Sequence, residues 1–161
     1  MKTKTRFMTQ AAMIAALYVI LTLLANSMGL ANMAIQVRFS ESLTVLPCLT
    51  VAAVPGLFTG CLLSNLLIGS MPLDIIFGSI ATLLGALGTY YLRRYRFLAP
   101  LPPILSNAII VPWILKTVYR FEGSYFYFMA TVGIGQIISC GILGGLLLLG
   151  LKPYGNIFRL K

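Results

Sequence analysis

Histidine is absent from the 161-residue chain, and only three residues are acidic: Glu41, Asp74 and Glu122. Charged residues of both signs make up 9% of the sequence, where a soluble domain carries about a quarter. Twelve basic and three acidic side chains cannot coat a water-facing surface. This excludes a soluble enzyme, a nucleic-acid-binding module and a disordered region. Without histidine there is no Ser/His/Asp or Cys/His nucleophilic set, and with no cysteine pair at metal-ligand spacing either, no zinc or haem site is expected. No G-x-x-x-x-G-K-[ST] loop is present, so the chain does not bind ATP in that manner. The three cysteines, Cys48, Cys61 and Cys140, all lie inside apolar runs. An odd number in such surroundings argues against a disulfide framework. Internal repeats of the kind found in many secondary transporters are not apparent.

What is present is apolar: 59% of the residues are hydrophobic, in long runs that do not alternate as barrel strands would. The expectation is an all-α integral membrane protein, with one transmembrane domain over residues 1–161. A bilayer core about 30 Å thick needs about 20 helical residues. Stretches 8–28, 73–92, 101–118 and 124–151 meet that length. The first follows Lys2, Lys4 and Arg6 and is read as an uncleaved helix, being long and followed by further spans. Stretch 42–68 contains Pro47 and Val54-Pro55-Gly56, and fits either one kinked span or two short ones. Charge separates the choices. Six spans put the clusters Lys2/Lys4/Arg6, Arg93/Arg94/Arg96 and Lys152/Arg159/Lys161 all on the cytoplasmic side, as the positive-inside rule requires. Stretch 42–68 is therefore read as spans 42–54 and 55–68, turning at Val54-Pro55-Gly56, with both termini cytoplasmic. The +9 net charge marks topology and needs no nucleic-acid partner.

Nine of the twelve basic residues then lie inside, and all three acids lie at the outer side, on segments 26–41, 69–74 and 116–123. Charged groups at membrane depth are costly and face protein or a water-filled cavity. Glu41 and Asp74 also suit helix starts, where the dipole favours an anion, and Arg38 is placed to pair with Glu41. The run Asn32-Met33-Ala34-Ile35-Gln36-Val37-Arg38-Phe39-Ser40-Glu41 combines amide, guanidinium, aromatic and carboxylate groups in one short loop. Such a set suits a planar heteroaromatic ligand: a ring to stack on, amides and a carboxylate for its edge. Asn107 and Gln136 fit interhelical hydrogen bonds, with Asn107 and Trp113 also placed to line a cavity. The run Tyr125-Phe126-Tyr127-Phe128 reads as an outer aromatic belt. Small residues recur four apart at Ala11/Ala15, Ala12/Ala16, Gly56/Gly60, Ala81/Gly85 and Gly141/Gly145, marking close helix contacts or a flat face for another protein.

Several segments together are similar to one known family. They are Ile35-Gln36-Val37-Arg38-Phe39-Ser40-Glu41 running on to Pro47, Ala53-Val54-Pro55-Gly56-Leu57-Phe58 to Asn65, and Asp74-Ile75-Ile76-Phe77-Gly78-Ser79 to Leu83. Leu98-Ala99-Pro100-Leu101-Pro102-Pro103 and Asn107-Ala108-Ile109-Ile110 continue the match. The chain resembles the QueT family, substrate-binding S components of energy-coupling factor (ECF) transporters assigned to queuosine precursors. The resemblance implies a six-helix S component in a bacterial cytoplasmic membrane and a 7-deazaguanine ligand taken up from outside. It implies partners as well: a transmembrane coupling protein and two ATPases, which use the ATP, this chain binding no cofactor or metal. Ala11/Ala15 with Ala12/Ala16 is similar to the A-x-x-x-A feature by which S components dock on the coupling protein.

A guanine-like edge presents adjacent N–H donors that one carboxylate accepts bidentately. The expected ligand contacts are thus Glu41 and Asp74 on that edge, Phe39 or Trp113 as the stacking face, and Asn32, Gln36, Arg38 and Asn107 as polar partners. A membrane-embedded enzyme would need catalytic groups near the midplane or cytoplasm, and the acids are on the other side. A pore would show a polar stripe along several spans, which is not seen. An S component for a different vitamin or nucleobase-like solute keeps the class and changes the ligand.

Overall fold

A computed structural model describes residues 2–30, 37–151 and 153. Helix α1 covers Lys2–Ser27, α2 Ala53–Ile68, α3 Pro72–Tyr91 and α4 Leu101–Thr117. The last rod is α5, Tyr125–Gln136, continued by a π-helical stretch Ile137–Leu143 and by α6, Gly144–Leu151. Among the described residues four helices are long and apolar enough to cross a membrane: Thr3–Ser27, Pro72–Tyr91, Arg96–Thr117 and Tyr125–Leu151. Large apolar side chains such as Met13, Ile20, Ile76, Ile109 and Leu149 stay exposed on them, as lipid-facing groups do.

The stretch expected as span 42–54 is different. It is a 3-10 helix, Phe39–Cys48, followed by a turn through 49–52. Helix α2 begins at Ala53, so Val54, Pro55 and Gly56 are its first turn and not the reversal of a hairpin. The residue types explain the departure. Thr44, Val45 and Pro47 are poor α-formers. The Ser42 Oγ donates to the Phe39 carbonyl at 2.6 Å and the Thr44 Oγ1 to the Glu41 carbonyl at 2.5 Å, both three residues back. A 3-10 helix also rises about 2.0 Å per residue against 1.5 Å for an α-helix. Ten residues therefore carry the chain about 20 Å. Seven of them are buried, so this short element is part of the core.

That return pass is needed because α1 and α2 run parallel. Gly56 sits against Ala11, and Gly60 against Ala15 and Tyr18. The Thr50 hydroxyl, just before α2, reaches Gln10 near the start of α1 at 2.8 Å. Helix α2 ends in a Schellman motif: Gly69 takes φ 78°, its N–H bonds the Leu66 carbonyl and the Ser70 N–H bonds the Asn65 carbonyl at 3.0 Å. Pro72 opens α3 at its first helical position. Helices α3 and α4 meet antiparallel, Gly85 on Pro103 and Gly88 on Pro102. The Thr89 hydroxyl bonds the Ala99 carbonyl at 2.8 Å and closes the loop between them. Lys4 and Arg6 thus lie at the same end as Arg93, Arg94 and Arg96; the cluster Lys152/Arg159/Lys161 falls outside the described residues.

The core at this basic end gathers Ile14, Tyr18, Leu43, Leu46, Leu57 and Ala86. The alanine stripe divides on it. Ala11 and Ala15 are occupied by the α2 glycines, while Ala12 and Ala16 remain exposed. Of the four alanines expected on a docking surface, Ala12 and Ala16 are therefore the exposed ones.

Candidate functional site

The polar groups the bundle encloses come from four passes. Tyr18 of α1 is fully buried and donates its hydroxyl to Glu41 Oε1 at 2.5 Å. Asn107 of α4 donates Nδ2 to Glu41 Oε2 at 3.1 Å. Glu41 stands in the first turn of the 3-10 helix, as its place in the sequence implied, and is 2% exposed inside the body of the bundle. Gln136, the last α-helical residue before the π stretch, accepts from the Cys140 thiol at 3.0 Å. That thiol also reaches the Glu41 carbonyl at 3.4 Å. The extra residue per turn in a π stretch re-aims side chains, and such stretches concentrate at functional sites. Here the stretch carries Cys140, which meets Glu41 and Thr44 of the 3-10 helix.

Asp74 lies in the first turn of α3, where the helix dipole favours an anion. Its Oδ2 accepts the Tyr119 hydroxyl at 2.8 Å. Tyr119 belongs to the α4–α5 loop, in which Arg120 holds a left-handed φ of 53°. That conformation is strained for a non-glycine residue. It brings the Tyr119 and Phe121 rings nearly parallel, centroids 5.8 Å apart. Burial first, and then the Asp74 carboxylate, raise the Tyr119 phenol above its ordinary value, so it stays a proton donor at neutral pH.

Two neighbouring spaces lie between these groups. A small chamber of about 10 Å³, room for one water, is lined by Arg38, Glu41, Asp74, Thr82, Asn107 and Gln136 among others. A larger cavity of about 610 Å³ opens toward the loops, with Asn26, Arg38, Asn65, Asp74, Tyr119 and Glu122 in its wall. That volume lies within the usual range for small-molecule sites. Arg38, Asp74 and Val111 line both spaces and so form the partition. Among the described residues no hydrogen bond or ion pair reaches the Arg38 guanidinium, so the expected Arg38–Glu41 pair is not made. Its charge is balanced through space by Asp74 first and also by Glu41.

Of the residues singled out in the sequence, Arg38, Glu41, Asp74 and Asn107 come together on the chamber. Asn32 and Gln36 lie outside the described residues. Phe39 starts the 3-10 helix and lines neither space. Trp113 is 42% exposed, packs edge-on against Phe77 at 5.1 Å and lines neither space. Neither aromatic therefore stands where a stacking ring is needed; Tyr119, Phe121, Tyr127 and Phe128 are the rings of the larger cavity. Sequence reasoning passed over Tyr18 and Tyr119, because one tyrosine in or beside an apolar run is unremarked until its carboxylate partner is known.

Tyr119→Phe removes one hydrogen bond to Asp74 and a titrating group. Between about pH 10 and its raised folded value, the folded chain keeps a proton that the unfolded chain releases, so Tyr119 lowers stability as pH rises there. Thermal melts from about pH 9 to pH 11 will show a steeper fall for the parent than for Tyr119→Phe. Equal slopes would refute this.

An all-helical membrane bundle that closes charged and amide groups around a cavity open at one end defines the class: a membrane protein that handles a small solute. The chain matches the family model described as QueT transporter over residues 8–153 and belongs to that family. No curated protein and no solved structure matches it.

Proposed function

We propose that this transporter is the S component of an ECF importer, binding a 7-deazaguanine precursor of queuosine in the larger cavity and delivering it inward. The observation that carries the reading is the pairing of Arg38 and Asp74 on one cavity wall. A guanine-type ring offers an acceptor oxygen next to two N–H donors. A guanidinium that no hydrogen bond or ion pair reaches among the described residues suits the oxygen. A carboxylate with only Tyr119 bonded to it has lone pairs left for both donors. Glu41, held by Tyr18 and Asn107, stands behind this wall and fixes the charge that Arg38 faces. Asn32 and Gln36 belong to the segment leading into Arg38 in the sequence and remain candidate ligand contacts.

Coupling to transport is proposed to follow the ECF pattern. The acid-bearing end faces outward and both termini are cytoplasmic. The exposed Ala12/Ala16 strip of α1 meets the transmembrane coupling protein, and two partner ATPases supply the energy. The test is mass spectrometry of small molecules released from gently purified protein. A deazapurine is the expected result; a flavin or thiamine would keep the class and overturn the ligand.

A further inference from the structure

The loop that joins α3 to α4, residues 92–100, carries Arg93, Arg94 and Arg96, and all three side chains are exposed. Among the described residues no carboxylate pairs with any of them, since Glu41, Asp74 and Glu122 are taken up in the walls of the two spaces. The carbonyl end of α3 favours a cation beside its last turn. That accounts for Arg93, whose guanidinium carbon lies 4.5 Å from the centre of the Tyr90 ring. The dipole fades within a turn, so Arg96 gains nothing from it.

A second, independent feature of the loop is apolar. Phe97 is 94% exposed, and Tyr91 and Tyr95 are 79% and 60% exposed. The loop does not swing freely to hide these rings. The Thr89 hydroxyl ties the Ala99 carbonyl back to the end of α3 at 2.8 Å. The Tyr95 N–H bonds the Leu92 carbonyl and the Leu98 N–H the Tyr95 carbonyl, both at 2.8 Å. The chain geometry then fixes the depth of the loop. The 20 residues of α3 rise about 30 Å, the thickness of the hydrocarbon core. A loop folded onto the end of that helix lies in the headgroup layer, roughly 5–8 Å deep. At that depth the anion at hand is a lipid phosphodiester, with the acyl chains directly beside it. Arginine forks hold phosphate oxygens bidentately, and aromatic rings settle at the membrane interface. A soluble polyanion supplies phosphates and no apolar layer for Phe97.

We propose that the α3–α4 loop is a binding site for an anionic phospholipid. Arg94 and Arg96 hold the phosphodiester, Arg93 on Tyr90 adds its charge, and Phe97 and Tyr95 enter the first methylenes of the acyl chains. The site is separate from the solute cavity. It anchors the basic end of the bundle to a leaflet that carries anionic lipid.

The experiment is native mass spectrometry of the delipidated full chain in detergent, titrated with phosphatidylglycerol (anionic) and phosphatidylcholine (zwitterionic) of the same acyl chains. The parent is expected to bind phosphatidylglycerol about 30-fold tighter or more. Arg94→Gln combined with Arg96→Gln is expected to weaken phosphatidylglycerol about 30-fold and leave phosphatidylcholine unchanged. Arg94→Gln alone should lose about fivefold, and it carries the test if the double variant melts lower in lipid-free detergent. Phe97→Ser should weaken both lipids roughly fivefold. Equal binding of the two lipids by the parent overturns the proposal. So does an equal loss in the charge-matched control, Lys2→Gln combined with Lys4→Gln, since the preference would then belong to the whole basic end. Displacement of the lipid by a short DNA oligonucleotide at equal phosphate concentration overturns the lipid assignment in favour of a general polyanion surface. Unchanged affinity in Phe97→Ser overturns the acyl contact.

Discussion

Asp74→Asn is expected to cut ligand affinity by about 100-fold or more while leaving the fold intact. A carboxylate offers about four lone-pair positions, and Tyr119 occupies one of them. The asparagine carbonyl can still accept the Tyr119 hydroxyl, so the wall keeps its shape. The second oxygen, however, becomes an N–H₂ group, which meets one of the two N–H donors of the ligand head-on, and the other bond loses its charge. One charge-assisted bond is lost, the other is weakened and donors are left unpaired in a desolvated place, together about 3 kcal/mol. Stability should fall much less. Asp74 sits in the first turn of α3, where its charge favours the helix by about 0.3–1 kcal/mol. Titration calorimetry reads the affinity and a thermal melt in the same detergent reads the fold. Affinity within about threefold of the parent would remove Asp74 from the site.

The reasons this residue was legible in the sequence apply to only part of the site. In a chain with three acids, each one in an apolar context is conspicuous because its burial is costly. Arg38, Glu41, Asp74 and Asn107 were all visible on that ground. The orientation of aromatic side chains was less visible. Trp113 follows Asn107 by six positions, which at 100° per residue places it about 240° around α4. The two cannot share a face, whereas Val111, four positions on from Asn107, does, and it lines the cavity with Asn107's neighbours. That angle was available in the sequence and identifies Trp113 as outward-facing.

The fold divides in the same manner. Long apolar runs gave α3, α4 and the last rod closely and α1 apart from its start, which runs back to Lys2, because a run of that length has few other ways to satisfy its backbone. The 3-10 helix was not legible as such. Charge placement demanded a pass between 28 and 53, but only local terms decided its form: Pro47, two β-branched residues and the hydroxyl-to-carbonyl bonds of Ser42 and Thr44. The small-residue stripes posed a different problem. Small residues four apart show that a close approach occurs and do not show the partner. Ala11/Ala15 and Gly56/Gly60 were both visible; that they meet each other is a consequence of α1 and α2 running parallel.

Gly60→Leu is expected to destabilise the protein by about 3 kcal/mol, the upper end of the usual cost of overpacking. A Cβ at Gly60 would stand 2.8 Å from the Tyr18 Cβ, 3.0 Å from the Ala15 carbonyl oxygen and 3.1 Å from the Ala15 Cα. Two of these are backbone atoms of α1, so relief requires moving the helix and not a side-chain rotation. Tyr18 is carried on that helix, and its hydroxyl is one of the two side-chain groups that hold Glu41. Separation of α1 from α2 therefore loosens the wall behind Arg38, and ligand affinity should fall together with the melting temperature. Gly145→Leu is the control. A Cβ there meets nothing within 4 Å, and the gain in helix propensity is about the same, near 1 kcal/mol. It should leave melting and binding unchanged or slightly raise stability. If thermal melts in detergent find the two variants alike, the parallel α1–α2 contact is not what supports the site. If Gly60→Leu lowers the melting temperature and leaves affinity untouched, Tyr18 does not transmit that contact to Glu41.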